Sequence, residues 1–208
     1  MFASRRMLPF VDASVAASGQ DAYATPIKAA ATLFVTALTA AASQISVPLP
    51  FTPVPFTLQP MIVLLGGAVL GARLGMAAQV LYLAAGVAGL PVFAFAPDLP
   101  QGAARLLGPT GGYLIAYPVA AWITGTLAAR GFDRRYLTSV AAMAAGLAAI
   151  FAGGVTWLTL LAPGADGRSL QAALAAGLYP FVLADAVKLC LAAAVMPVAW
   201  RFLRSPGP

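Results

Sequence analysis

Tyr179 to Trp200 reads YPFVLADAVKLCLAAAVMPVAW. Its length matches the roughly 20 residues that a helix needs to cross a bilayer. It is apolar throughout except for two charged side chains, Asp185 and Lys188, three positions apart and therefore on one helical face. At a helix centre each costs roughly 2.5 to 3.5 kcal/mol on insertion scales, so both should face the interior of a helix bundle rather than lipid. Two readings of the pair stay open: a neutralising ion pair that pins two helices, or the polar part of a site for a ligand or ion.

The rest of the chain has the same character. Its 208 residues are 61% hydrophobic and 9% charged, against about 25% charged in an ordinary soluble domain. Further apolar segments fall at Pro26 to Ser43, Thr57 to Gly71, Leu74 to Leu90, Gly111 to Ala129 and Thr138 to Leu161. The reading is an all-α integral membrane protein, a six-transmembrane-helix bundle in one domain over 26–208. Residues 1–25 carry Arg5 and Arg6 without the apolar core of a secretory signal and are expected to form a loose, uncleaved cytoplasmic tail. The second and third segments are short and nearly touch, so Gly66, Gly67, Gly71 and Gly75 are expected to mark a tight turn or a broken helix.

With six spans, Arg5, Arg6, Lys28, Arg73, Arg130, Arg134, Arg135, Arg201 and Arg204 fall on one side, against Arg105 and Arg168 on the other. The positive-inside rule then places both termini in the cytoplasm of a multi-pass protein of the cytoplasmic membrane. The net charge of +6 thus reflects topology and does not imply a nucleic-acid partner. His and Glu are absent and Cys190 is the single cysteine, so no metal site of the usual nitrogen and sulfur ligands, no internal disulfide and no Ser-His-Asp or Cys-His catalytic set is expected. No Gly-x-x-x-x-Gly-Lys-Ser/Thr loop occurs, so ATP hydrolysis by this chain is not expected, and transport would draw on a gradient or a partner.

Two loops on the outer side carry polar and aromatic groups. The first, SVPLPFTPVPFTLQP at Ser46 to Pro60, is stiffened by five prolines and presents Phe51, Thr52, Pro53 and Phe56, with Gln59 as an amide hydrogen-bonder. It reads equally as a lid over an apolar ligand and as a rigid connector. The second contributes Phe93, Arg105 and the turn Gly108-Pro-Thr-Gly-Gly. Arg105 can hold a carboxylate through a bidentate fork. Tyr82 and Tyr113 can line the same cavity or belong to an interfacial aromatic belt. In the first span Ala37 and Ala41, like Thr32 and Thr36, place small residues four apart and permit close contact with another membrane helix.

QISVPLPFTPVPFTLQ at Gln44 to Gln59, YLAAGVAGLPVF at Tyr82 to Phe93, GPTGGYL at Gly108 to Leu114 and PFVLADAVK at Pro180 to Lys188 together resemble BioY. That family comprises the biotin-specific substrate-binding subunits (S components) of energy-coupling-factor (ECF) transporters. The similarity runs from about Pro26 to Leu191 and departs from the family pattern in AFAPDLPQGAA and at Leu183 and Ala184. It implies a six-helix bundle that binds biotin near the outer face, under the first loop, with Asp185, Lys188 and Arg105 in the site. It also implies no bound cofactor and two kinds of partner: a transmembrane coupling protein, docked on the small-residue face of the first helix, and a pair of cytoplasmic ATPases. Competing readings are an autonomous proton- or sodium-coupled vitamin carrier, with Asp185 as the ion site, and a structural membrane subunit that binds no ligand.

Overall fold

The computed structural model describes residues 7–96, 99–162 and 169–204, with the Arg204 side chain left out. Arg5, Arg6, Arg168 and the Arg204 side chain, used above in the charge argument, lie outside the described residues. The described chain is almost entirely helical: α1 Phe10–Ala17, α2 Ala24–Gln44, α3 Gln59–Val87, α4 Ala104–Leu107, α5 Gly111–Ala128, α6 Tyr136–Leu160, α7 Leu170–Gly177 and α8 Tyr179–Arg204. Two short antiparallel strands, β1 Ser46–Val47 and β2 Phe56–Thr57, frame the proline-rich loop and pair Ser46 with Thr57 and Val47 with Phe56. Among the described residues, four helical stretches are long and apolar enough to cross a membrane: Asp21–Gln44, Gln59–Val87, Tyr136–Leu160 and Tyr179–Leu203.

The third helix is folded back on itself. Gly71 has φ +77° and ψ 177°, a region populated almost only by glycine. Across it, a Cβ built on Gly75 would stand 2.8 Å from Gly67 Cα, and Gln59 Nε2 donates to Tyr82 Oη at 2.6 Å. In a straight helix Gln59 and Tyr82 would be about 34 Å apart at 1.5 Å per residue. Residues 59–70 and 72–87 are therefore antiparallel arms joined at Gly71, the break that the four glycines led us to expect. The arms pack against α5 through small residues: a Cβ on Gly67 would meet Ala121 O at 2.5 Å, and one on Gly125 would meet Ala72 N at 2.5 Å. Such close backbone approach is how membrane helices gain van der Waals contact where lipid supplies no hydrophobic drive.

The tail expectation needs correction. Phe10–Ala17 is helical, Asp21–Tyr23 forms a 3₁₀ turn, and α2 already begins at Ala24. Val11 and Val15, four apart, are both buried, Val11 in one cluster with Val35, Leu70 and Ala78, and Asp12 pairs with Lys28 at 2.5 Å. The end of the bundle away from the first loop is knitted to this segment. Met7 N donates to Ala129 O at 2.8 Å, Arg134 Nη2 to Leu8 O at 3.2 Å, and Phe10 meets Trp200 edge-on at 5.0 Å. Burial of Val11 and Val15 and these contacts at the bundle end order a segment that has no continuous apolar run.

Candidate functional site

At the opposite end, α5 begins with Thr110 just ahead of it and presents Tyr113, Leu114 and Tyr117 along one face, the spacing of successive helical turns. These residues, with Val54, Pro55, Gln59, Ala94, Arg105, Ile150, Phe181 and Asp185, line a cavity of about 50 Å³. A second cavity of about 440 Å³ lies between Pro48, Thr52 and Pro53 of the first loop and Ala104, Leu107 and Pro109 of the second. The two share Pro55. Pro53 and Pro55 hold their φ by ring closure, so the loop between the strands forms a stiff roof, latched by Thr52 Oγ1 donating to Ala176 O at 2.5 Å.

The inner cavity is polar at a few points and apolar elsewhere. Arg105 is only 1% exposed although its four-residue helix sits at the bundle end. Its Nη2 donates to Ala94 O at 2.6 Å and its Nη1 to Pro100 O at 3.3 Å, while Nε has no partner among the described residues. Burial pulls its pKa below the usual guanidinium value, a cost that an anionic ligand group would offset. Thr110 Oγ1 is likewise buried without a partner. Asp185 and Lys188 are in contact, both buried, but Asp185 Oδ1 makes no aligned hydrogen bond. The Lys188 ammonium donates instead to Thr57 O at 2.7 Å and lies 4.0 Å from the centre of the Phe56 ring. Buried polar atoms are almost always paired, so Arg105 Nε and Thr110 Oγ1, without partners among the described residues and beside the ion-paired Asp185 around one cavity, mark a place for a polar ligand.

Of the residues read from the sequence, Asp185, Arg105, Gln59 and Tyr113 line the inner cavity. Lys188 stands behind Asp185 as its counter-ion. Tyr82 and Phe93 do not line the cavity: they are packed edge-to-face at 5.6 Å, and Tyr82 supports Gln59 from behind. Tyr113 also ties α5 to α7, its hydroxyl donating to Gly177 O at 2.7 Å. Thr52 and Pro53 line the outer cavity, Phe56 sits under Lys188, and Phe51 is exposed. Ala37 and Ala41 lie on the exposed face of α2. Thr110 and Tyr117 were missed. Their spacing with Tyr113, one polar or aromatic residue per turn, is the signal that could have found them.

A bundle of apolar, membrane-length helices with buried charges gathered round a cavity at one end defines a membrane-embedded ligand-binding protein. The BioY family profile matches residues 17–205, and the chain belongs to the BioY family. It is 42% identical over 160 residues to a protein of Pyrococcus horikoshii called "Probable biotin transporter BioY", covering 77% of this chain and 87% of that one. It is 39% identical over 160 residues to "Biotin transporter BioY" of Thermotoga maritima, covering 77% and 88%. It also resembles a crystal structure described as the S-component for biotin from an ECF-type ABC transporter, with TM-score 0.73 and 25% identity over 86% of this chain and 92% of that one.

Proposed function

We propose that this chain binds biotin beneath the proline-rich loop and mediates its uptake as the substrate-specific subunit of an ECF-type transporter. The observation that carries this is the pair of unpartnered buried atoms, Arg105 Nε and Thr110 Oγ1, and the buried Asp185 carboxylate around one cavity, in a member of a family whose relatives are named for biotin transport. Biotin supplies the complement: a cyclic urea with two N–H donors and a carbonyl, an apolar sulfur ring and a carboxylate tail. Asp185 accepts from the urea N–H groups, Arg105 holds the carboxylate with Nε and a free Nη hydrogen, and Tyr113, Tyr117, Phe181 and Ile150 surround the ring. Lys188 lies outside the cavity lining, which favours its role as the fixed partner of Asp185 over direct contact with the carboxylate. The inner cavity is smaller than the roughly 300 Å³ or more usual for ligand pockets, so biotin extends past Pro55 into the outer one.

The chain is a transporter subunit, and ATP hydrolysis is assigned to partner ATPases acting through a transmembrane coupling protein that docks on the Ala37 and Ala41 face. Six spans with both termini cytoplasmic are supported by the reversal at Gly71, by the apolar α5, and by Arg73, Arg130, Arg135 and Arg201 at the end away from the cavity. A titration of the purified chain with labelled biotin, with thiamin and riboflavin as competitors, tests the reading. Saturable binding resisted by neither competitor is expected; no binding, or equal displacement by thiamin or riboflavin, overturns it.

A further inference from the structure

The irregular strip from Pro91 to Phe95 has five successive carbonyls, and a side-chain donor comes within hydrogen-bonding distance of each of them. Gln44 Nε2 donates one hydrogen to Ser43 Oγ at 2.7 Å and has the other for Pro91 O at 3.2 Å and Phe93 O at 3.4 Å. Ser43 Oγ donates to Val92 O at 2.6 Å, and Ser46 Oγ to Phe95 O at 2.6 Å. The remaining carbonyl, Ala94 O, is the anchor of Arg105 Nη2. Non-helical backbone in a protein of this composition must find partners for its polar groups within the protein, and here four of the five carbonyls find them on the last turn of α2 and the strand that follows it.

We infer that Ser43, Gln44 and Ser46 are positioning residues for both buried cations of the biotin site. They fix the strip that carries the Ala94 carbonyl, and so the height of Arg105 in the cavity. Ser46 also pairs in the two-stranded ladder with Thr57, whose carbonyl holds the Lys188 ammonium. A third path leads through Phe93 to Tyr82 and Gln59. The competing role is local capping of α2, since Ser43 Oγ also lies 2.6 Å from Ala40 O and Gln44 Nε2 lies 3.4 Å from it. Capping predicts lower stability with the ligand grip unchanged; positioning predicts a weaker grip that depends on Arg105.

The inference rests on biotin as the ligand, and its test separates the two. In the full chain purified in detergent, Ser43→Ala with Gln44→Met is expected to weaken biotin binding about tenfold, the loss of one or two net hydrogen bonds. In an Arg105→Ala background the same pair should cause a clearly smaller loss, because the main residue it acts through is gone while the paths to Lys188 and Gln59 remain. Parent-like binding in the double variant, or losses that add fully to that of Arg105→Ala, overturns the inference. Ser46→Ala, a smaller change at the surface, decides by the same cycle if the double variant does not fold. If the parent chain binds no biotin, the functional reading fails, and amide hydrogen exchange over 91–95 then decides the inference: faster exchange in the variants supports it, and unchanged exchange overturns it.

Discussion

Asp185 and Lys188 are buried together, and each is tolerable only while the other is charged. Removing one leaves an unpaired buried charge, at a cost of about 3 to 5 kcal/mol for a fully buried pair, whatever the pair does. Stability therefore does not separate a clasp from a site, but binding does. Asp185→Asn and Lys188→Ala are each expected to weaken biotin binding severely. The double replacement Asp185→Asn with Lys188→Met should recover the fold without recovering binding, as read from melting in detergent and a biotin titration; parental affinity in the double variant would make the pair scaffolding. Asp133, at the other end, poses a separate electrostatic problem. It is 2% exposed, accepts from Trp200 Nε1 at 2.6 Å and pairs with Arg134 at 3.1 Å. Burial outweighs both partners and raises its pKa above the ordinary 3.8. A carboxyl with a raised folded-state pKa contributes stability that is fully present below its unfolded value and is lost as pH rises through the folded value. The melting temperature of the parent relative to Asp133→Asn should therefore be highest below about pH 3.8 and fall as the pH is raised; a relative stability that climbs with pH would contradict this.

The element on which the site depends most is the α3 hairpin, because its two arms bring Gln59 and Tyr82 to the same end of the bundle. One residue makes the reversal. Gly71→Ala places a Cβ in a region almost reserved for glycine and 2.7 Å from Pro9 Cγ; it should destabilise by about 1 to 3 kcal/mol, measured as a lower melting temperature in detergent, and an unchanged midpoint would mean that the reversal lies elsewhere. The sequence confined this turn to four glycines but did not single out one, since a dihedral angle is not a property of composition. The charged pair was legible because lipid exacts a large penalty for any exposed ionised group, which leaves the bundle interior as its place. Arg105 and Gln59 were legible as polar groups on loops that had to share one face, and Tyr113 as a ring at the helix start beside them. Tyr82 and Phe93 carried the same signal yet pack behind the cavity, because which aromatic ring faces a ligand is set by its neighbours and not by its residue type. The helix at Phe10–Ala17 was illegible for a different reason: only Val11 and Val15 are buried in it, too few positions to establish a period.

For the molecule as a whole, the proposed function requires that the cavity open to the outside and that the Asp133 end face the cytoplasm. Charge and packing agree on this axis. Arg73, Arg130, Arg135 and Arg201 are exposed at the end where Met7 meets Ala129 and Phe10 meets Trp200, whereas the cavity end has Arg105, buried and turned inward. Arginines left on the cytoplasmic side avoid translocation, so four of them at one end are what the proposed orientation requires. Phe51, at the tip of the roof, and Arg135, before α6, are exposed and take part in no hydrogen bond that holds the site, so a cysteine at either should be tolerated. In intact cells, with Cys190 replaced by Ala to remove the native exposed thiol, Phe51→Cys should react with a membrane-impermeant maleimide. Arg135→Cys should react only after the cells are lysed. An odd number of spans between the two positions yields this opposite labelling, and the hairpin at Gly71 is what makes the number odd: 59–70, 72–87 and α5 are three crossings, and a straight α3 would leave two. Labelling of both cysteines from one face would therefore exclude the reversal and, with it, the placement of Gln59 and Tyr82 at the same mouth.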